Sequence, residues 1–528
     1  MITPVSESSW PSVADCQIFP LPKIQDPRGN LTFMQRGEPL PFDIQRVFYL
    51  YDVPAGELRA GHALKSCHQM LVAIAGSFDV VLRDGTNERR VRLDAAAEGL
   101  HIPPMIWREV EGFSEAAICL VLASELYSED AYVREETGYL QLREKEKDQQ
   151  PPVVRSLDFD AAYRECQPEL DAAYHRFMRS GHLVLGDEVR RFEEEYATYC
   201  DATHCVGVGH GLDALLLALR ALEVGPGDEV IVPANTYIAT WLAVSQLGAL
   251  PVAVEPDVAT LNLDATRIKA AITSRTKAVL AVNLYGLPCD YDEIAAICAR
   301  HNLGFVVDNA QGHGARYHGR RVGGVADLEC HSFYPTKNLG AFGEAGAVTT
   351  QNADLADRIR VLRNYGSRRR YENEVRGYNS RLDELQAAFL RVKLRKLDEW
   401  NRRRQTIAAF YLESLQSVPE LQLPATPHKL EPVWHQFIIR HPERDAMQKH
   451  LSSQGVETLV HYPTPPHRSA AYQDPGYGSF PLTEQLANEV LSLPIGPQLT
   501  PAATGRVVEA ILSFQADLAV KQHAAFNS

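Results

Sequence analysis

The chain has 528 residues, 45% of them hydrophobic, and a formal net charge of −14 at pH 7. That length exceeds one ordinary domain, and the acidic balance argues against a general nucleic-acid binder. No apolar run reaches the ~18 residues of a membrane span, and the N-terminal residues lack the basic and apolar regions of a signal peptide, so a cytoplasmic protein is expected. From residue 31 to about 127 the chain reads as short β-rich runs, at 45–53, 69–85, 89–94 and 116–124, with turn signals at 26–29, 75–76 and 83–85. Many short strands without a helical period predict an antiparallel sandwich or barrel. His62, His68 and His101 are dispersed and form no HxH pair, so no metal is expected, and His101 reads as a turn or wall residue. The nine cysteines show no CxxC pairing and read as reduced, buried thiols. Residues 140–152, LQLREKEKDQQPP, are charged, then amide-rich, then capped by proline. They read as a spacer. This divides the chain into a first domain at 1–139, a linker at 140–153 and a second domain at 154–528.

The second domain opens with helical segments to residue 199. Gly207, Gly209 and Gly211 then precede the helical run LDALLLALRAL. A glycine-rich turn at a helix N-terminus can receive a phosphate on its amides. Strand and helix signals alternate from 229 to 310, which predicts βαβ units, a mainly parallel sheet and ligands outside the strand C-termini. One apolar strand ends in Asp308, with Gln311 just beyond. Lys337 follows in SFYPTKNLGAFGEAG (332–346), fenced by glycines and turn formers. An exposed loop amine with close backbone approach is what a lysine needs to reach an aldehyde. A strand-end carboxylate followed by a loop lysine is the arrangement of pyridoxal phosphate (PLP) enzymes, in which the aspartate keeps the pyridine nitrogen protonated. Beyond residue 390 come a long charged helix and a smaller C-terminal part, with a Pro- and His-rich loop at 461–472.

Four segments, PGDEVIVPANTYIAT (226–240), TKAVLAVNLYG (276–286), SFYPTKNLG (332–340) and the run 377–404 that opens GYNSRLDELQAAF, occur in this order. Together they resemble the DegT/DnrJ/EryC1/StrS sugar aminotransferases, fold-type I PLP enzymes that aminate keto groups on nucleotide-linked sugars. The resemblance runs from about residue 154 to the C-terminus. It implies that Lys337 binds the cofactor and moves protons, that Asp308 holds the ring nitrogen, and that Gln311 and the Ser332 hydroxyl face the cofactor. It further implies that Tyr237 stacks on the ring and that the turn at Gly211 and Leu212 holds the phosphate. Leu212 stands where the family has a hydroxyl donor, so only backbone donation remains there. Asn379 would be donated across a two-fold homodimer to the neighbour's phosphate. His461, Tyr462 and His467 would contact the sugar. Val307, Asn309 and Asn283 depart from the family pattern. Relatives that dehydrate sugars carry histidine in place of the lysine, so Lys337 favours transamination.

Within the first domain, the order DPRGNL, QRVFYLYD, RAGHALKSCHQMLVAIAGSFDVVLRDG, IPPMIWREV, LVLAS resembles the cupin-fold sugar 3,4-ketoisomerases over about 20–139. These move a keto group from C4 to C3 without a metal, and the resemblance makes His62 and Tyr49 the catalytic candidates. The family's His-Ala-His reads His62-Ala63-Leu64 here, and its Trp-His-Glu reads Trp107-Arg108-Glu109. Residues i and i+2 of a strand share a face, so a paired histidine is missing and a weak or inactive isomerase is expected. The expected fold is multidomain: an N-terminal all-β cupin jelly roll, then an α/β fold-type I aminotransferase with a small α+β C-terminal subdomain. The expected reaction is PLP-dependent conversion of a nucleotide-linked, dTDP-type 3-keto-6-deoxyhexose to a 3-amino sugar, with glutamate or glutamine as donor. The C3 position follows from the fused ketoisomerase-like domain. Two alternatives stay open: amination of a 4-keto sugar with the cupin serving only dimerisation, and a non-catalytic regulatory or scaffold protein.

Overall fold

Period-two burial shapes the first part of the computed structural model, which describes residues 10–34, 40–149, 153–473 and 476–526. The chain divides into two compact units, Met1–Pro152 and Val153–Ser528. In the first, β1 (Gln17–Pro20), β2 (Lys23–Asp26), β3 (Gly29–Thr32), β4 (Arg46–Leu50), β5 (Arg59–Leu64) and β6 (Gln69–Ala75) are followed by β7 (Phe78–Arg83), β8 (Glu88–Leu93), β9 (Glu98–Ile102), β10 (Trp107–Glu111), β11 (Ile118–Ala123) and β12 (Tyr132–Val133). Apart from the β2–β3 hairpin they form two five-stranded sheets, in the orders β1-β9-β6-β11-β4 and β12-β5-β10-β7-β8. Every pairing in them is antiparallel. Leu71, Phe78, Val80, Leu82, Leu100 and Val121 fill the space between the sheets. Strand β6 is buried on both faces, because Met70 and Val72 are covered from outside by Leu21, Leu40 and Leu122. The β6–β7 turn needs Gly76: its φ is +61°, and an added Cβ would lie 2.5 Å from Ser114 Oγ.

The expected boundary at 139 falls inside a helix, α1 (Glu136–Gln149). Its first turns dock on the first unit. The Tyr139 hydroxyl donates to Arg83 O at 2.8 Å, and Arg143 Nε donates to Asp84 O at 2.7 Å. Leu142 joins the cluster of Met105, Trp107 and Tyr139. The expected spacer therefore begins as part of the first unit's packing. The side chains of 145–150, and residues 150–152 altogether, lie outside the described part.

The second unit begins with α2 (Phe159–Ser180) and α3 (Asp187–Tyr199), then alternates: β13 (His204–Val208), α4 (Gly211–Ala221), β14 (Glu229–Pro233), α5 (Ile238–Ser245), β15 (Leu250–Val254), α6 (Ala265–Ala271), β16 (Thr276–Val282), α7 (Tyr291–His301) and β17 (Gly304–Asp308). A short pair, β18 (Arg316–Tyr317) and β19 (Arg320–Arg321), precedes β20 (Leu328–Ser332) and β21 (Gly346–Thr350). The sheet order is β13-β21-β20-β17-β16-β14-β15. Strands β15, β14, β16, β17 and β20 run parallel, and β21 is antiparallel to both β20 and β13. Helix α4 is buried along most of its length and packs Leu215, Leu217 and Leu219 into the main core with Val230, Val232, Trp241 and Leu280. Further on come α8 (Ala353–Leu362), the hairpin β22 (Ser367–Arg369) and β23 (Glu372–Asn373), α9 (Glu384–Leu394) and α10 (Leu397–Leu415). The smaller C-terminal part adds β24 (Leu430–Glu431), β25 (Phe437–Arg440), α11 (Arg444–Ser453), α12 (Pro481–Glu489), β26 (Val490–Leu493) and α13 (Pro501–Phe526).

Candidate active site

The parallel strands deliver their loops to one edge of the sheet, and the lysine loop is the connection from β20 to β21. Asp308, the last residue of β17, is 7% exposed. Its Oδ2 accepts from Thr240 Oγ1 at 3.0 Å, and its Oδ1 accepts from the Ala310 amide at 3.1 Å. Thr240 Oγ1, on the first turn of α5, lies 2.9 Å from the hydroxyl of Thr236 just before the helix, so a hydroxyl pair holds the group that bonds the carboxylate. Burial pushes the Asp308 carboxyl above its ordinary range, and the Lys337 amine opposes that. Burial in turn draws Lys337 down to about 8, with Asp308 pulling the other way. The two groups are therefore electrostatic neighbours.

Gln311 is gripped from both ends. The Tyr285 amide donates to its Oε1, and its Nε2 donates to the Tyr462 hydroxyl at 3.0 Å. The Tyr462 ring centroid lies 5.2 Å from that of Tyr237, which is 55% exposed at the start of α5. His461 Nδ1 lies 2.6 Å from Ser492 Oγ, and its carbonyl accepts from the Tyr285 hydroxyl at 2.6 Å. Burial, and then the Lys337 charge, hold the His461 imidazole down at about 4. Thus His461 and Tyr462 join Lys337, Asp308, Gln311 and Tyr237. His467 does not: its side chain is wholly buried, with Nε2 3.1 Å from Glu484 Oε1 and its ring against Phe480. The 3-10 turn Pro466–Arg468 rotates it inward, so it anchors the loop to α12.

Gly211 opens α4 directly against Ser332, where an added Cβ would stand 2.5 Å from Ser332 Cβ and 2.9 Å from its Oγ. His210 caps the helix by accepting from the Asp213 amide at 3.1 Å, which leaves the Gly211 and Leu212 amides at its mouth. The Leu212 side chain packs on the main core. Gly209 donates its amide to Ser380 Oγ at 3.0 Å, and Ser380 is buried beside the exposed Asn379. A helix mouth that excludes a Cβ, a hydroxyl beside it, a buried carboxylate and a lysine amine match the phosphate, ring nitrogen and aldehyde of PLP.

In the first unit, His62 is flanked on its own face by both altered positions. Arg108 is its cross-strand partner and Leu64 lies two residues along the strand. Among the described residues, neither buried ring nitrogen of His62 has a hydrogen-bond partner, and its ring centroid lies 4.8 Å from that of Tyr132. Burial, and then the Arg108 charge, push His62 down to about 3. Arg108 is 1% exposed and donates to Ile106 O and to Gln69 Oε1. Tyr49 does not reach His62. Phe48 points into the sandwich, so the next residue points out, and Tyr49 is 59% exposed. His68 Nδ1 and His101 Nε2 meet at 3.0 Å with stacked rings.

The model of the DegT/DnrJ/EryC1/StrS aminotransferase family matches residues 165–512. The chain belongs to this family. These aminotransferases are PLP-dependent, and the geometry above fits that cofactor. A second model, described as WxcM-like, C-terminal, matches residues 14–144, over the cupin. This DegT/DnrJ/EryC1/StrS member is 52% identical over 362 residues to the dTDP-3-amino-3,4,6-trideoxy-alpha-D-glucose transaminase of Streptomyces venezuelae, covering 68% of the chain and 96% of that relative. It is 51% identical to the dTDP-3-amino-3,6-dideoxy-alpha-D-galactopyranose transaminase of Aneurinibacillus thermoaerophilus, covering 68% and 99%. The solved structure of S. venezuelae DesV superposes with a TM-score of 0.68 at 51% identity, covering 69% of this chain and 99% of that one. Sequence reasoning missed Thr236, Thr240 and Ser380. The i, i+4 spacing of the two threonines after a strand was the available signal.

Proposed function

We propose that the chain transfers an amino group from glutamate or glutamine to C3 of a dTDP-linked 3-keto-6-deoxyhexose, as a cytoplasmic homodimer. The observation that carries this reading is the meeting of Lys337, Asp308 and Gln311 at one sheet edge, in a chain that over 68% of its length is about half identical to two dTDP-3-amino-sugar transaminases. PLP, when bound, supplies the electron sink that makes the substrate's α proton acidic. Lys337, drawn down to about 8, sheds and regains a proton readily at its Nζ. Asp308, oriented by Thr240, is placed to keep a ring nitrogen protonated. Tyr237 and Tyr462 supply an aromatic wall. The exposed Asn379, on a turn secured by Ser380, is suited to donation across a two-fold interface. His461 and Tyr462 are the sugar contacts this reading retains.

The first unit reads as a weak or inactive ketoisomerase. Isomerisation needs a base at one carbon and a proton donor at the next. His62 has an aliphatic group on one side and a buried guanidinium on the other. The decisive experiment gives the PLP-loaded protein glutamate or, in a parallel arm, glutamine, with either dTDP-3-keto- or dTDP-4-keto-6-deoxyglucose in deuterated water, and follows the products by NMR. Amination at C3 of the 3-keto sugar is expected, with little deuterium entering C3 or C4 of the 4-keto sugar. Amination at C4 overturns the C3 reading, absence of amine from both overturns the transaminase reading, and rapid 4-keto to 3-keto conversion overturns the decay of the first unit.

A further inference from the structure

A cavity of about 280 Å³ adjoins the lysine loop, with Phe159, Lys337, Phe342, Lys393, Trp400 and Arg404 in its walls. Two of those walls are buried cations that lie within the run 377–404 but that the resemblance gave no role. Lys393, on α9, is 7% exposed; its Nζ donates to Gly340 O at 2.7 Å and stands 3.7 Å from the Phe342 ring centroid. Burial draws this amine down to about 8. Arg404, on α10, is 3% exposed; its Nη1 donates to the carbonyls of Trp434, His435 and Ile495, and its Nε has no partner among the described residues. Among the described residues, neither cation is paired with a carboxylate. Asp158 also lines the cavity, but its carboxylate is engaged as the N-cap of α2, accepting from the Ala161 amide at 3.0 Å.

A buried charge without a counter-ion is costly, and a cavity with such charges in its walls suits an anionic occupant. The volume falls below the ~300–1,000 Å³ of pockets that hold drug-sized ligands, so a small acid fits better than a nucleotide sugar. Position narrows the choice further. Burial, and then the Lys337 and Arg404 charges, hold His435 well below its ordinary range, so both charges lie near that ring. Arg404 and Thr336 also line a second cavity of about 100 Å³ with His435 and His461.

We propose that Lys393 and Arg404 receive the two carboxylates of the amino donor, and so select a dicarboxylic amino acid over its side-chain amide. This rests on the transaminase reading above. The test is calorimetric titration of the PLP-loaded, full-length protein with glutarate, which has both carboxylates and no amine. Glutaric acid monoamide and a nucleoside diphosphate serve as separate arms. Glutarate binding is expected, with the monoamide weaker, no competition from the diphosphate, and a loss of roughly ten- to a hundredfold in Lys393→Met. Arg404→Lys keeps the charge but loses the fork and is expected to bind more weakly than wild type. Lys393→Met decides alone if Arg404→Lys does not fold. Absence of glutarate binding, equal affinity in Lys393→Met, or displacement of glutarate by the diphosphate overturns the proposal. The cofactor's absorbance separates the two readings. If glutamate changes it with the same half-saturation in wild type and Lys393→Met, the donor site falls and the transaminase stands. If no amino acid changes it, both fall.

Discussion

His62 gives the first unit a defined sensitivity to acid. In the unfolded chain its imidazole titrates near 6.5, and in the folded unit burial and Arg108 hold it at about 3. Between those values the unfolded state carries a proton that the folded state refuses. Stability from this group is therefore fully present above pH 6.5 and is lost as pH falls toward 3. The slope is about 1.4 kcal/mol per pH unit, so lowering pH from 6.5 to 4.5 removes up to about 2.7 kcal/mol through His62. His101, held down at about 4 by burial and by His68, adds a loss of the same sign over the same window. The assay is hydrogen exchange by mass spectrometry on peptides of β5 and β10 in the full-length protein, corrected for intrinsic rate at each pH. His62→Leu should remove about 2 kcal/mol of the wild-type decline between pH 6.5 and 4.5, leaving the part due to His101. Arg108→Met relieves the second cause of the shift and not the first, so it should shrink the decline without abolishing it. A wild-type decline that is unchanged in His62→Leu would refute the reasoning.

Borohydride reduction of the PLP-loaded protein should fix the cofactor on Lys337, and Lys337→Ala should lose turnover; peptide mapping that finds the label elsewhere removes Lys337 from its role. Asp308→Asn should lower turnover by at least about a hundredfold, because an amide cannot hold the ring nitrogen protonated; steady-state kinetics with glutamate check it. Gly211→Ala forces a methyl to within 2.5 Å of Ser332 Cβ. Overpacking of that kind costs about 1–3 kcal/mol, so PLP should bind roughly tenfold or more weakly, as read by fluorescence titration with unchanged far-UV circular dichroism.

What the sequence revealed followed the reach of its signals. Lys337, Asp308, Gln311 and the helix mouth at Gly211 lie in contiguous strand–turn–helix motifs, where local chemistry and chain order agree. Parity along β5 put Leu64 on the face of His62, and the structure adds Arg108 as the cross-strand partner. The outward direction of Tyr49 is set by the inward-facing Phe48 beside it, and the chemistry of a tyrosine carries no sign of that. His467 was misplaced because a loop's composition says nothing of which ring a 3-10 turn directs into the core. Lys393 and Arg404 lie in the 377–404 run without a role there, since a lysine and an arginine on charged helices look solvated until α9 and α10 are packed around the lysine loop. The His68–His101 contact, across 33 residues of chain, depends on the register of β6 with β9.

The stitching behind α4 has a further consequence. Arg363 Nη1 holds Gly207 O and Glu193, its carbonyl accepts the Ser380 amide at 2.9 Å, and Ser380 holds the Gly209 amide. The turn that leads into the helix mouth and the segment that follows the β22–β23 hairpin are thus one mechanical piece. Variation introduced into residues 363–380, far along the chain from Gly211, is transmitted to the place where an anion would sit. A mutational library over that hairpin is therefore also a library of cofactor retention, and the colour of the purified variants would sort it.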